Sequence, residues 1–235
     1  MDIAARLTAV RGSIADAARR AGRDAEAITL VAVSKFHPPP AMEEAYAAGQ
    51  RFFGENRVQE AEVKRRLLAA LIEGPDPLRL ELIGALQSNK VRKAVAAVSR
   101  IQSIDSAALG ERVGRVAAET NLRMSVLVQV DLAGEATKSG VPEAEVFKAL
   151  EAMRAVAGIR VEGLMAIPPF LEDPNQVRPY FARLRALRDQ ARERGLLEGA
   201  ELSMGMSHDF EAAIEEGATI VRVGTAIFGE RPISG

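Results

Sequence analysis

The 235-residue chain contains no cysteine and no tryptophan, and only 4% of its residues are aromatic. Without cysteine, disulfides, thiolate metal sites and cysteine nucleophiles are all excluded. With so few aromatic residues, the core must consist mainly of Ala, Val, Leu and Ile, and 48% hydrophobic residues are enough to build a sizeable one. The two histidines, His37 and His208, share no spacing with carboxylates that is typical of metal ligands, so we expect no metal site.

A strong charge of one sign is also missing, because 31 Lys and Arg residues nearly balance 32 Asp and Glu residues. The net charge of −1 argues against a nucleic-acid or membrane-surface partner recognised by bulk electrostatics. No apolar run reaches transmembrane length, and residues 1–6 lack the apolar core of a signal peptide. We therefore expect a soluble cytoplasmic protein with no nucleic-acid partner and no membrane partner.

Eight short apolar segments alternate with segments of helical periodicity along the chain. The predicted strands are residues 29–35, 51–54, 80–83, 100–104, 125–130, 161–166, 202–204 and 219–223. This order and length predict an α/β fold, a single (β/α)8 TIM-type barrel domain over residues 1–235. An extra N-terminal helix over residues 2–21, ended by Gly22, would cover the wall where no full helix follows the eighth strand.

Helices are predicted between these strands. They cover residues 40–48, 55–73, 88–98, 105 or 106 to 120, 142–156, 177–194 and 207–216. Two of them are expected to begin at serine N-caps, Ser88 and Ser207. Gly49 and Gly217 are typical of the helix ends that they follow.

The first strand ends on Lys35, which shares the face of Val31 and Val33 under the two-residue period of a strand. Desolvation at the carboxyl end of an apolar strand would favour the neutral, nucleophilic amine. The alternative is a strand-end lysine whose stem packs on the core and whose charge is solvated. This segment alone favours the second interpretation, but the loops near the other end of the chain support the first.

Two loops near the end of the chain suit a phosphate, because phosphates bind to such barrels after strands seven and eight. The segment Ser203–Ser207 offers two hydroxyls, a glycine and backbone N–H groups at the start of a predicted helix. Arg222, Gly224 and Thr225 add a cation, a second glycine and another hydroxyl. For either loop alone a helix cap or a tight turn is favoured. The two loops together reverse that preference.

Lys35 combined with such a phosphate site implies a ligand that carries both a carbonyl and a phosphate. The amine would form a Schiff base while the loops hold the phosphate. Pyridoxal phosphate (PLP) fits, and so does a phosphorylated sugar held by an aldolase. A third interpretation is a catalytically silent scaffold, in which Lys35 is a strand-end residue and both loops are caps.

A set of motifs follows in order along the chain. They are VAVSK at 31–35, FGENRVQE at 53–60, LIG at 82–84 with LQSNK at 86–90, KSGV at 138–141, GLM at 163–165, LSMGMS at 202–207 and RVGTAIFG at 222–229. From about residue 28 to residue 231, the chain resembles the pyridoxal phosphate homeostasis protein family. The resemblance implies a single barrel similar to the N-terminal domain of alanine racemase, with pyridoxal 5'-phosphate as its cofactor.

The resemblance also implies a role for each residue of the site. Lys35 would hold the cofactor as a Schiff base, Arg222 would face the pyridine nitrogen, and Asn56 would border the ring. The phosphate would be held by Ser203, Ser207, Gly224 and Thr225.

Two positions depart from commoner forms of this family. Ala85 stands where many relatives have histidine, and His37 stands where some have a second lysine. Both departures put in doubt a role for a basic side chain at the mouth of the pocket. Lys90 and Lys138 could contact phosphate there, but a solvated surface lysine is the favoured interpretation of each.

Arg222 beside the ring nitrogen would oppose protonation of that nitrogen, because adjacent positive charges repel. An unprotonated ring is a poorer electron sink, which weakens carbanion chemistry. Alanine racemase adds a second domain with a tyrosine base, whereas here we expect no such domain, and Tyr46 and Tyr180 lie on predicted helices. We therefore expect a monomeric carrier of PLP with no catalytic residues and with PLP-dependent apoenzymes as candidate acceptors. The alternative is a minimal amino-acid racemase.

Overall fold

A computed structural model describes residues 2–134 and 139–230 of the chain. In that part of the chain, eight parallel strands form a closed barrel in which each strand pairs with the next and β8 pairs with β1. The strands are β1 Thr29–Val33, β2 Phe52–Glu55, β3 Arg79–Leu82, β4 Arg100–Ile104, β5 Met124–Asp131, β6 Ile159–Met165, β7 Glu201–Ser203 and β8 Ile220–Val223. The predicted TIM-type α/β barrel is confirmed.

Helices surround the barrel. They are α1 Ile3–Arg20, α2 Pro39–Ala47, α3 Val58–Leu67, α4 Ala69–Ile72, α5 Val91–Ala97, α6 Ala107–Glu119, α7 Val146–Arg154, α8 Arg178–Glu193, α9 Phe210–Glu215 and α10 Thr225–Phe228. Their apolar positions recur at helical spacing, as Leu109, Val113 and Ala117 do on α6, and these faces are buried. Within the described ranges, no helix combines the length and the apolar character needed to cross a bilayer.

The N-terminal helix α1 lies where the sequence predicts it. The side chain of Asp2 caps its first turn, and Gly22 adopts the positive φ of 63° that favours glycine after a helix. Helix α1 packs against α9 and α10, and Arg20 forms ion pairs with Glu211 and Glu215 of α9. Because α10 has only four residues, α1 covers the wall beside it.

The barrel interior contains both apolar and polar side chains. Val31, Leu127, Met165 and Ile220, from four different strands, form a buried apolar cluster separate from the larger core between strands and helices. Because strand side chains alternate, every second residue of a strand faces this interior. Arg222 is the register partner of Val31, so it lies on the same side of the sheet and is buried there.

Four predictions about helices were wrong in detail. The helix predicted over residues 142–156 begins only at Val146, because Val141–Pro142 pairs with β5 as a two-residue strand and residues 143–145 form a 3-10 turn. The helix predicted over residues 55–73 begins only at Val58 and is interrupted at Leu68, which separates α3 from α4. Ser88 is not a helix cap, because it lies in a 3-10 turn that precedes α5. Ser207 does not open a helix either, since backbone N–H groups of residues 209 and 210 close a turn on the Met206 carbonyl before α9 begins.

Candidate functional site

A cavity of about 560 Å³ lies at the carboxyl ends of the strands. Six of the seven residues predicted to hold a cofactor line it, namely Lys35, Asn56, Ser207, Arg222, Gly224 and Thr225. The structure therefore brings the lysine that follows β1 together with the loops that follow β7 and β8. The volume is within the range of ~300–1,000 Å³ typical of small-molecule sites.

Lys35 lies in a turn that hydrogen bonds hold on both sides. Ser34 N donates to a β2 carbonyl oxygen at 3.1 Å, and His37 N donates to Ser34 O at 3.0 Å. Phe36 has a φ of 67°, which is uncommon for a residue other than glycine, and its N–H donates to Glu60 Oε2 at 3.1 Å. The backbone that presents the half-buried Lys35 side chain is therefore fixed from α3 as well as from β2.

A buried ion pair lies beneath this turn. Lys64 Nζ is 2.6 Å from Glu55 Oε1, and the Ser34 hydroxyl donates to the same oxygen at 2.6 Å. Burial raises the pKa of Glu55, and the neighbouring Lys64 ammonium opposes that rise. Among the described residues, Glu55 Oε2 has no hydrogen-bond partner. Sequence reasoning missed this pair, because nine positions along the chain separate a strand end from the inner face of a helix.

Arg222 is a buried cation that lines the cavity. Its Nη1 donates to Ser203 Oγ at 2.5 Å, and its Nη2 donates to Ala166 O at 2.9 Å. Burial lowers the pKa of Arg222 to about 10, while the nearby Asp209 carboxylate opposes the shift. The guanidinium thus remains charged at neutral pH, and two of its five N–H groups are engaged by the barrel wall.

Ser203 is the one predicted site residue that does not line the cavity within the described part of the chain. It is fully buried at the end of β7, where its hydroxyl donates to Gln102 Oε1 and accepts from Arg222 Nη1. The expectation that Ser203 contacts a phosphate does not fit this geometry. The hydroxyl hydrogen of Ser203 is already donated to Gln102, and its oxygen is buried and does not line the cavity. Its observed contact is with Arg222.

Ser207, Gly224 and Thr225 lie together at the edge of the cavity. Gly224 N donates to Ser207 Oγ at 3.3 Å, which joins the loop after β7 to the loop after β8. A Cβ at position 224 would lie 3.2 Å from Val33 O, so glycine permits the close approach of these backbones. Thr225 is the exposed first residue of α10, where a backbone N–H has no acceptor within the helix.

The two positions that depart from the family pattern, Ala85 and His37, both line the cavity. His37 stacks on Phe228 with 5.0 Å between ring centroids, and burial lowers the pKa of His37. Lys90 is half-buried in a 3-10 turn and is not among the described residues that line the cavity. Lys138 lies outside the described residues.

Sequence reasoning missed two lining residues at the end of β5, Gln129 and Asp131. Gln129 is buried, and its side chain donates to Ser139 O at 2.5 Å. Their position at the carboxyl end of a barrel strand was the available signal. Among the described residues, no group of three or more His, Asp or Glu side chains could hold a metal ion.

Neither tyrosine lies at the cavity in the described part of the chain. Tyr46 is on α2, and its hydroxyl donates to Asp76 O at 2.7 Å. Tyr180 is on α8, where it packs against the core between helices and strands. Both tyrosines therefore have structural positions on the outside of the barrel.

Comparisons with known proteins point in one direction. The sequence model of the family described as "Alanine racemase, N-terminal domain" matches residues 6–232. The pyridoxal phosphate homeostasis protein of Aquifex aeolicus is 43% identical over 231 residues, covering 98% of this chain and 99% of that protein. The solved structure of PipY from Synechococcus elongatus with PLP bound has a TM-score of 0.84 and 40% identity, over 97% of this chain and 100% of PipY. An alanine racemase from Corynebacterium glutamicum shares the fold, with a TM-score of 0.71 and 22% identity over 97% of this chain and 63% of the racemase.

Proposed function

The chain belongs to the pyridoxal phosphate homeostasis protein family, whose barrel is that of the alanine racemase N-terminal domain, and on this premise we propose that it binds and carries PLP. The cofactor is bound in the cavity at the carboxyl ends of the strands. The observation that carries the proposal is the shared lining of this cavity by the Lys35 amine, the buried Arg222 and the paired loops of Ser207 and Gly224.

The residues present fit the chemistry of PLP. The cofactor supplies an aldehyde that condenses with an amine, a phosphate, and a pyridine ring whose nitrogen accepts a hydrogen bond. Lys35 supplies the amine on a fixed turn. Ser207, Gly224 and Thr225 supply hydroxyl and backbone donors on the loops after β7 and β8, which suit the phosphate. Asn56 also lines the cavity, and we assign it to the border of the ring.

Arg222 makes this site poor at catalysis. A charged guanidinium that donates to the ring nitrogen leaves that nitrogen unprotonated, so the ring withdraws electrons weakly. A racemase also needs a base on the second face of the substrate. Tyr46 and Tyr180 lie on outer helices, so neither supplies that base from the described part of the chain. We therefore favour a monomeric carrier that passes PLP to apoenzymes over a minimal racemase.

Titration of the purified protein with PLP tests the proposal. After unbound PLP is removed by gel filtration, we expect a visible absorption band from about one cofactor per chain in the unchanged protein and no such band in Lys35→Ala. Far-ultraviolet circular dichroism of Lys35→Ala should match the unchanged protein, because the side chain is only half-buried. An unchanged band in Lys35→Ala, or no binding to the unchanged protein, would overturn the proposal.

Two further measurements separate carrier from enzyme. The loaded protein, mixed with the apo form of a PLP-dependent enzyme, should restore that enzyme's activity while its own visible band declines. Prolonged incubation with single L-amino acids, followed by chiral chromatography, should yield no steady formation of the D-enantiomer. Steady formation that depends on Lys35 would favour the racemase.

A further inference from the structure

Four buried polar side chains on four barrel strands form one hydrogen-bonded chain beneath the cavity. Arg222 on β8 donates from Nη1 to Ser203 Oγ on β7, and Ser203 donates in turn to Gln102 Oε1 on β4. Gln102 donates from Nε2 to Glu81 Oε2 on β3. Each contact is 2.5 Å long, and none of the four residues is more than 3% exposed. A guanidinium at the cavity is therefore linked to a carboxylate on the far side of the barrel interior.

Glu81, which only accepts, and Arg222, which only donates, together set the direction of every hydrogen bond between them. Arg100 Nη1 lies 3.3 Å from Glu81 Oε1, so both oxygens of this carboxylate face N–H donors. Burial raises the pKa of Glu81, and the Arg100 guanidinium and the Gln102 amide oppose that rise. A carboxylate that only accepts requires the NH₂ end of Gln102 to face it, which leaves the amide oxygen of Gln102 facing Ser203. The single hydroxyl hydrogen of Ser203 is then donated to Gln102, and a lone pair faces Arg222.

We propose that Glu81 and Gln102 are positioning residues for Arg222, which they hold through Ser203 in the orientation that presents its remaining N–H groups to the cavity. This inference rests on the proposed function, in which Arg222 faces the pyridine nitrogen. Within the described residues, the acceptors of the guanidinium are neutral, a hydroxyl and the Ala166 carbonyl. The carboxyl group that orients its contact with Ser203 through hydrogen bonds is that of Glu81, two hydrogen bonds further on.

Replacing Glu81 by glutamine keeps the shape of the side chain. It reverses the direction of the hydrogen bonds that run between residue 81 and Ser203. The Arg100 guanidinium lies 3.3 Å from the first position of residue 81, so its charge favours the new amide oxygen there and the new NH₂ faces Gln102. Gln102 must then turn its amide oxygen toward residue 81 and its NH₂ toward Ser203. The hydroxyl hydrogen of Ser203 is forced toward Arg222, which loses its acceptor. Arg222 should consequently shift although nothing near the cavity has been changed.

The test compares PLP binding by the unchanged protein and by Glu81→Gln. The dissociation constant is measured by titration with PLP, and the orientation of the bound cofactor by its circular dichroism in the visible region. We expect Glu81→Gln to bind PLP about tenfold more weakly and to show a changed visible dichroism. The matched control is Glu216→Gln, because Glu216 accepts from Arg178 and Arg185 of α8 and, within the described residues, shares no hydrogen bond or ion pair with Glu81, Gln102, Ser203 or Arg222. The control should leave both quantities unchanged.

A swap of the two side chains tests the direction of the hydrogen bonds themselves. In the double variant Glu81→Gln with Gln102→Glu, the carboxylate at position 102 accepts from both residue 81 and Ser203. The Ser203 lone pair therefore faces Arg222 again. We expect the double variant to recover the dissociation constant and the dichroism of the unchanged protein. Ser203→Ala, which removes the acceptor itself, should show the same loss as Glu81→Gln, so it serves as the test if Glu81→Gln does not fold.

The outcomes separate this inference from the proposed function. Failure of the unchanged protein to bind PLP would overturn the proposed function. Normal binding by the unchanged protein together with an unchanged dissociation constant and dichroism in Glu81→Gln would overturn the positioning role alone. A loss in Glu81→Gln that the double variant does not recover would also overturn it, because the loss would then reflect a general disturbance of the barrel interior.

Discussion

The ammonium of Lys64 lies 2.8 Å from the backbone carbonyl oxygen of Ser34. Ser34 precedes Lys35, so a residue of α3 holds the backbone from which the proposed Schiff-base lysine projects. The same ammonium pairs with Glu55, and both side chains are buried. Loss of one partner from such a pair is costly, because the other is left as an uncompensated buried charge.

The first prediction concerns this ion pair. Lys64→Met should lower the free energy of unfolding by about 3–5 kcal/mol, because the buried Glu55 would lose its counter-ion and would have to stay charged without it or take up a proton. Adding Glu55→Gln removes that charge and keeps an oxygen that accepts from the Ser34 hydroxyl, so the double variant should recover at least about 1 kcal/mol. Urea denaturation of the two single variants and the double variant gives the coupling. Strictly additive losses would show that the two residues do not act as a pair.

The second prediction is a pH dependence set by Asp209. Burial raises the pKa of Asp209, although the Met206 N–H and the Arg222 charge lower it. The contribution of Asp209 to stability is therefore fully present below the unfolded pKa of about 3.9 and is lost as the pH rises through the folded pKa. Asp209→Asn cannot ionise, and its amide oxygen can still accept from Met206 N.

The measurement is the free energy of unfolding of both proteins as a function of pH. Relative to the unchanged protein, Asp209→Asn should become progressively more stable as the pH rises from about 4 toward 7. A difference that stays constant with pH, or that falls as the pH rises, would contradict the raised pKa.

The third prediction concerns the contact between Gly84 and Asn56 on the cavity wall. A Cβ at position 84 would lie 2.8 Å from Asn56 Cα and would also meet the Asn56 carbonyl oxygen, so the backbone must move. Gly84→Ala should lower the free energy of unfolding by about 2–3 kcal/mol and should weaken PLP binding at least about tenfold. Gly12→Ala is the matched control, because a Cβ on this exposed helical residue meets nothing within 4 Å.

In the control, Gly12→Ala should raise the free energy of unfolding by about 0.5–1 kcal/mol through helix propensity and leave PLP binding unchanged. Denaturant titration and PLP titration measure the two quantities on the same samples. Unchanged PLP affinity in Gly84→Ala would mean that the Asn56 backbone does not shape the cofactor site.

The fourth prediction assigns the phosphate end of the cofactor. Ser207→Ala should weaken the binding of PLP by about tenfold to a hundredfold, the loss expected for one hydrogen bond to a charged group. It should leave the binding of pyridoxal, which has no phosphate, unchanged. Parallel titrations of the unchanged protein and the variant with both ligands give the comparison. An equal loss of affinity for PLP and pyridoxal would place Ser207 elsewhere on the cofactor.

The sequence predicted the barrel because its strands are marked by local chemistry. Residues 100–104 form a short segment between two segments of helical periodicity, and the structure has β4 over the same residues. The role of α1 was also predictable, since the short segment after β8 leaves part of the wall uncovered. Loop glycines at positions 22 and 217 both have positive φ, as helix ends of this kind require.

The polar interior could not be predicted with the same certainty. Ser203 stands in a motif beside Ser207, and whether it faces the cavity or the interior depends on a strand end that sequence defines only to within a residue or two. Gln102 and Glu81 are separated from Ser203 by long stretches of chain, and only closure of the barrel brings them into contact. The break at Leu68 was also hidden, because the apolar spacing continues across it.

The most direct test of the account is to identify the lysine that holds PLP. The PLP-loaded protein is reduced with borohydride and digested, and the modified peptide is identified by mass spectrometry. We expect a pyridoxyl group on the peptide that carries Lys35, at close to one group per chain. A pyridoxyl group on Lys64, Lys90 or another lysine, with Lys35 unmodified, would contradict it.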